Sequence, residues 1–583
     1  MKFLLSITLM LAIVAQSMVS GAAQKPAKSR ALSEEQRILH VLNRLGFGAR
    51  PGDVERVKSI GLENYVNQQL NPEKLTDTVA ENKVKDLSVL NMTTAELYEK
   101  YPQPGQLLRQ LQARGMLPAD LEEARENRVK GGANSTSSEM PKNESMTAPP
   151  QPPANPLQNE KYRKVVEDYY RENGLQRPQR ILAELQASKI LRAVYSERQL
   201  QEVMVDFWTN HFNIFANKGA DRWLLPAYDR DTIRPNAMAK FSTLLQATAQ
   251  SPAMLFYLDN FQSVSPNMTQ RARAPQRQRR GINENYAREL MELHTLGVDG
   301  GYTQKDVQEV ARCFTGWTIF QPRGGAAAVN AMLGEAGRRN AGTFFFNARA
   351  HDDGEKIVLG QKIPAGGGIK DGLTVLEILA RHPSTAKFIA TKLVRHFVAD
   401  DPPKALVDRV ASTYTKTDGD IREMLKTIFF SKEFNSTEAY RVKIKRPFEL
   451  VVSAIRTLGA DTNGGPGTHQ WIARMGEPLY GFQTPNGYSD AAESWVNTGG
   501  LLERMNFGLA LAGNRVQGTK VDLNRFTNGD KSQAKVMDES LKTILAGEIS
   551  ATTRETLLKQ LDQSDPVTKV VGLILGTPEF QRQ

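Results

Sequence analysis

The sequence predicts a mainly α fold: a multi-helical globular framework with a small β-hairpin insertion and a flexible linker. Three observations predict it. Apolar residues recur at helical spacing along most of the chain, as in Ile38, Val41, Leu42 and Leu45, in Leu200, Val203, Met204, Phe207, His211 and Phe215, and in Phe448, Val451, Val452 and Ile455. Helix starts carry their own chemistry: Thr303-Gln304-Lys305-Asp306 is a capping box, and Arg446-Pro447 puts proline in a first turn, where its missing N–H leaves no bond unmade. Turn and linker compositions interrupt this pattern most clearly in two segments, 126–160 and the Gly-rich stretch from Gly324 to Gly342.

Taken in order, residues 1–23 read as a cleavable export signal: Lys2 is followed by the apolar run Phe3 to Val14 and by the small residues Ser20-Gly21-Ala22-Ala23. Residues 31–125 form an N-terminal helical region. Residues 126–160 turn to Gly, Asn, Ser and Pro with few large apolar side chains; such a stretch buries too little surface to offset chain entropy and reads as a disordered linker or insertion. A central helical region spans 161–320. A Gly-rich insertion follows at 321–372, in which Thr343-Phe344-Phe345-Phe346 and Lys356-Ile357-Val358-Leu359 flank His351-Asp352-Asp353-Gly354 and read as the two arms of a hairpin. A C-terminal helical region covers 373–583; within it, the run from Asp420 to Ser431-Lys432-Glu433-Phe434 is echoed from Asp565 to Thr577-Pro578-Glu579-Phe580, a shared helix ending.

A chain of 583 residues is long enough to bury a sizeable core, and with Cys313 as its single cysteine it has no internal disulfide to rely on. No stretch after the leader is long and uncharged enough to anchor it in a bilayer, so the exported chain is expected to be soluble, periplasmic or extracellular. Its net charge of +11 suits an anionic glycan or envelope polymer; export argues against nucleic acid as a partner. Arg271, Arg273, Arg277, Arg279 and Arg280 concentrate this charge before a helix, either as an anion site or, more simply, as a solvated loop.

Candidate catalytic residues lie on two helices. His211 shares an apolar stripe with Phe207, with Asp206, Asn210 and Asn213 close in sequence; an imidazole there suits metal ligation or acid–base work, and equally a core histidine with satisfied hydrogen bonds, the reading the sequence favours. The helix beginning at Asn283 carries Glu284, Arg288 and Glu292 at four-residue steps, a charge ladder, and Asn285 with Glu289 on another stripe, the better pair for function. Glu289 and His294 point well apart, which removes the Glu-x-x-His signature of a di-iron bundle. Tyr480, Phe482, Tyr488 and Trp495 stand among Gly, Pro and Asn, where aromatics stack on sugars or, more often, cover helix ends. The acidic loops at His351-Asp352-Asp353-Gly354 and Thr417-Asp418-Gly419-Asp420 read as a turn and a helix cap ahead of metal sites. There is no His-Glu-x-x-His, no phosphate-cradling Gly-Lys-Ser/Thr loop and no Gly-x-Ser-x-Gly elbow, and Gly46-Phe47-Gly48 follows a helix where a dinucleotide fingerprint needs a strand.

Several stretches carry a family resemblance: His40-Val41-Leu42-Asn43-Arg44-Leu45-Gly46-Phe47-Gly48, Phe207-Trp208-Thr209-Asn210-His211-Phe212, Asn283-Glu284-Asn285-Tyr286-Ala287-Arg288-Glu289-Leu290, Thr295-Leu296-Gly297, Tyr302-Thr303, Phe314-Thr315-Gly316-Trp317, Lys443-Ile444-Lys445-Arg446-Pro447, and Trp495-Val496-Asn497 through Arg504-Met505-Asn506-Phe507. In order and spacing the chain resembles the DUF1800 family, departing from it at Tyr488, where the family tends to Trp, and at Cys313, where it tends to a small residue. The resemblance implies an exported bacterial protein with no assigned activity, often encoded beside a second exported family similar to sulfatases. The function these readings support is a binding or assembly protein for envelope or extracellular polymers. In that role Tyr480, Tyr488, Trp495, Arg277, Arg279 and Arg280 are the candidate ligand contacts, and a sulfatase-like exported protein the companion. The alternative is a metal-dependent hydrolase or other enzyme built around His211, Asn285 and Glu289; no particular metal or cofactor follows from the sequence.

Overall fold

A computed structural model of the chain describes residues 32–103, 160–269, 281–322, 339–527, 532–561 and 567–583, with isolated positions at 107, 111–112, 114–116, 334 and 337. The expected leader, residues 126–159 of the expected linker, and Arg277, Arg279 and Arg280 lie outside them. The framework is mainly α, with helices joined by short turns and, among the described residues, three two-stranded sheets of two or three residues per strand. Among the described residues, no helix is long and apolar enough to cross a membrane.

The helices begin where local chemistry starts them. Ser33, Thr93 and Thr303 close capping boxes with Gln36, Glu96 and Asp306, so both partners satisfy otherwise orphaned N–H groups. Asn283, Asp420 and Asn497 accept from the backbone three residues on, and the loop before Ile421 is thereby a helix cap. One apolar cluster runs from Ile38 near the start of the described chain to Phe580 near its end, so distant segments share a single core.

Two helices loosen into π turns. The first, Tyr228–Ile233, follows directly on Pro226, which lacks the N–H that a regular helix needs. In the second, Glu292–Leu296, Thr295 Oγ1 donates to Leu290 O and Met291 O and so satisfies carbonyls displaced from the regular ladder. The apolar stripe through Phe207 and His211 is shorter than its spacing predicts, because the Gln199–His211 helix stops at His211 and Phe215 lies beyond its C-cap. The charge ladder is also reassigned: Glu284 accepts from Gln304 and Gln308, Arg288 donates to Gln304, and Glu292 accepts from Tyr302, so these side chains tie the helix to the next one.

The strands correct the expected hairpin. Strand β1, Trp317–Ile319, pairs antiparallel with β2, Phe344–Phe346, while β3, Lys356–Val358, pairs with β4, Gln361–Ile363. The two apolar runs therefore belong to different sheets. The segment between them is held elsewhere: Arg312 clasps the Asp352 carboxylate at 3.0 and 3.1 Å, and His351 is buried against Thr315 and Asp371. The turn that closes β3–β4 is Leu359-Gly360, both with positive φ (48° and 76°), the backbone of a two-residue hairpin turn whose twist matches its strands.

Candidate functional site

A dense group of buried charges gathers around the stretch Lys443-Ile444-Lys445-Arg446, which enters the Pro447–Thr457 helix. This stretch is held extended by the chain's last residues: Lys445 N donates to Gln581 O and Gln583 N to Lys443 O. Lys443, Lys445 and Arg446 are all buried, and each finds a different environment.

Arg446 reaches into a nest of carboxylates. It pairs with Asp206, with Glu477 at 2.7 Å and, more loosely, with Glu449 at 3.6 Å, while Lys189 supplies a second cation 2.6 Å from Asp206. Two cations face three carboxylates. Burial works against ionised Asp206, but Arg446 and Lys189 outweigh it and hold that carboxyl well below the usual range. Glu477 absorbs the deficit: burial, assisted by the negative charge of Asp206, pushes it up to about 7 despite Arg446. The network continues outward through Lys392–Asp490 at 2.8 Å and through Lys443, which binds Asp400 and donates to Asp490 O. It thus fastens three loops to the helical core.

Lys445 turns the other way. Its Nζ lies 2.9 Å from Ser453 Oγ and 2.9 Å from Phe580 O, with the Phe580 ring centroid 4.1 Å away, and among the described residues no carboxylate pairs with it. Burial, then the charge of Arg441 and more weakly that of Arg504, bring this amine down to about 7 against the opposing charge of Glu449. Both Lys445 and Ser453 line a cleft of about 370 Å³ between the Glu34–Arg44, Pro447–Thr457 and Gln533–Leu545 helices. Its wall carries Arg50, Arg441, Lys542 and Arg582 as well as Glu35, Glu55, Glu539 and Glu579, a surface suited to a ligand rich in hydroxyls and charges.

The predicted residues fall in several places. His211 is buried among Phe207, Trp208, Phe212 and Phe388, and its Nε2 donates to His294 O at 3.1 Å, which assigns the proton to Nε2 because a carbonyl only accepts. That bond satisfies one of the last carbonyls of the π turn. Burial keeps the His211 imidazole neutral, far below its usual value, and brings His294 down to about 3. Asn285 is exposed and Glu289 half-buried, and neither is among the hydrogen-bond or ring partners of His211. Burial and the neighbouring Glu292 raise the Glu289 carboxyl. Among the described residues, no three His, Cys, Asp or Glu side chains assemble into a metal-holding group. Cys313 is fully buried, with its thiol pushed up to about 12 by burial.

The aromatic loop packs on itself. Tyr480 and Trp495 are buried, Trp495 Nε1 donates to Ser489 O, and the half-buried Tyr488 ring sits between Phe482 and Trp495 at centroid distances of 4.6 and 5.8 Å. Asn210 pairs with both the N–H and the carbonyl of Tyr488, and Asn213 donates to Phe482 O and Thr484 O, so the amides beside His211 hold this loop. Sequence reasoning missed Ser453 and the roles of Lys443, Lys445 and Arg446. Their one sequence signal was a run of three cations within four residues leading straight into an apolar helix, where charge is unexpected.

A family model described as a protein of unknown function, DUF1800, matches residues 40–582. Comparison with curated proteins and with solved structures finds no match.

Proposed function

Since the chain belongs to the DUF1800 family of proteins of unknown function, whose model matches it almost end to end, we propose that it works outside the cytoplasm as a binding or assembly protein for envelope or extracellular polymers, alongside a sulfatase-like exported companion. The observation that carries this reading is the cleft of about 370 Å³ with its wall of interleaved cations and carboxylates, which offers hydrogen bonds and charge in place of an apolar pocket. The net charge of +11 favours an anionic polymer over a neutral one. The leader-like start and the implied companion support the setting.

Calorimetric titration of the chain from Gln24 onward with anionic and neutral envelope polysaccharides tests the reading. The expected result is binding that weakens with salt and falls about 3- to 10-fold on Lys542→Glu, which reverses an exposed charge on the cleft wall. Absence of affinity for every polymer, or affinity indifferent to Lys542, would sink it.

A further inference from the structure

We propose that Ser453 and Lys445 form a nucleophile–base pair that cleaves acyl ester groups carried by the ligand of the cleft. The inference rests on the cleft being the ligand site and adds to it a reaction. Among the described residues, Ser453 Oγ has a single hydrogen-bond partner, Lys445 Nζ at 2.9 Å. Lys445 has the surroundings of a neutral amine rather than a structural cation: it is buried, makes no ion pair with a carboxylate among the described residues although the charge of Glu449 reaches it, and lies against an aromatic ring and one carbonyl. A neutral amine has two N–H groups and one lone pair. With one N–H directed to Phe580 O, the lone pair is free to accept the Ser453 hydroxyl proton.

Gly48 completes the geometry. A Cβ at that position would lie 2.9 Å from Ser453 Oγ and 3.4 Å from Asn43 Oδ1, so hydroxyl and amide converge beside a residue that has no side chain and whose φ of +96° favours glycine. Asn43 lines the same cleft, and its amide carries no hydrogen bond to another described residue. The Asn43 atom that faces Ser453 is the acceptor Oδ1; a half-turn of this unbonded amide about χ2 brings Nδ2 to the same place, where it donates to the oxyanion of an acyl group attacked by Ser453.

The steps balance. Lys445 takes the Ser453 proton as Oγ adds to the ester carbonyl; the tetrahedral adduct collapses, and the departing alkoxide takes that proton from the Lys445 ammonium. Water then attacks the acyl-serine, again giving one proton to Lys445, which returns it to Ser453 Oγ as the carboxylic acid leaves. One ester and one water become one alcohol and one acid, with no metal and no change of oxidation state.

The test is reaction of the full exported chain with an alkyl fluorophosphonate, followed by intact mass and peptide mapping. In this reaction the Ser453 Oγ–P bond forms, fluoride leaves and Lys445 takes the proton. The expected result is a single adduct on Ser453, forming at a rate that rises with pH through about 7, where burial has brought the Lys445 amine. Lys445→Met should slow labelling by about 100-fold or more, Lys445→Arg should not restore it, and Ser453→Ala should abolish it. A purely structural lysine predicts no pH inflection and no gain for the amine over guanidinium. Mapping and the pH profile use the unaltered protein, so they hold even where a variant folds poorly. No adduct, an adduct elsewhere, or labelling indifferent to Lys445 overturns the proposal. Labelling without polymer affinity overturns only the binding reading, and polymer affinity without labelling only this one.

Discussion

At the scale of single residues, the interior of this protein is organised by a few buried charges whose partners come from far along the chain. Arg446 draws Asp206, Glu449 and Glu477 together from three segments, and its removal strands carboxylates away from water. Arg446→Ala is expected to cost about 3–5 kcal/mol, read as a shift in urea-unfolding midpoint. Glu477 makes this cluster respond to pH. Its carboxyl is raised from 4.5 to about 7, so between those values the folded chain binds a proton that the unfolded chain has already released. Stability therefore falls as pH rises through that window, by roughly 3 kcal/mol, and Glu477→Gln flattens the fall. Urea titrations at pH 5 and pH 7.5 measure it; equal slopes for both chains would show that Glu477 is not the titrating group. None of this was visible in Lys443-Ile444-Lys445-Arg446 as letters, because a cation's environment depends on which distant carboxylates reach it. His211 was readable in part: its apolar stripe correctly implies a buried imidazole, while the carbonyl it serves, at His294, lies 83 residues away.

At the scale of elements, local chemistry was read well and long-range pairing poorly. The capping box at Thr303 and the helix ends at Ser431 and Thr577 appear as the letters imply. In both endings the hydroxyl donates to the carbonyl three residues back, Ile428 or Ile574, and accepts from the N–H three residues on, Phe434 or Phe580. Thr577→Val keeps the shape and removes both bonds; a loss of about 1 kcal/mol is expected by thermal denaturation, and an unchanged midpoint would deny the cap a role. The hairpin, by contrast, was misread. Apolar runs on either side of an Asp-Gly sequence satisfy any pairing rule based on neighbours, whereas Phe344–Phe346 takes its partner from Trp317–Ile319, across the Gly-rich stretch. The decisive bonds, from Arg312 to Asp352 and from His351 to Thr315 and Asp371, leave no periodic trace.

At the scale of the whole molecule, the first and last segments of the described residues meet over the candidate site. The Glu34–Arg44 helix supplies Asn43 to the cleft wall, and the last residues pair with Lys443 and Lys445 while Arg504 grips the Gln581 side chain. Deleting residues 581–583 removes these bonds together. The expected cost is about 2–4 kcal/mol, accompanied by faster proteolysis near Lys445 if the tail does hold that stretch in place. The family model spans the same distance, from residue 40 to 582, as the continuous core does. The sequence by itself determined the helical class, where many helices start and stop, and the family, because each depends on spacing and on side chains bonding within a few residues of themselves. Only the tertiary structure decided which strands pair, which carboxylates Arg446 gathers and that Lys445 sits against Ser453 in a cleft. Those outcomes depend on burial and on contacts between segments tens to hundreds of residues apart, where the energy of a charge is set by its neighbours in space rather than in sequence.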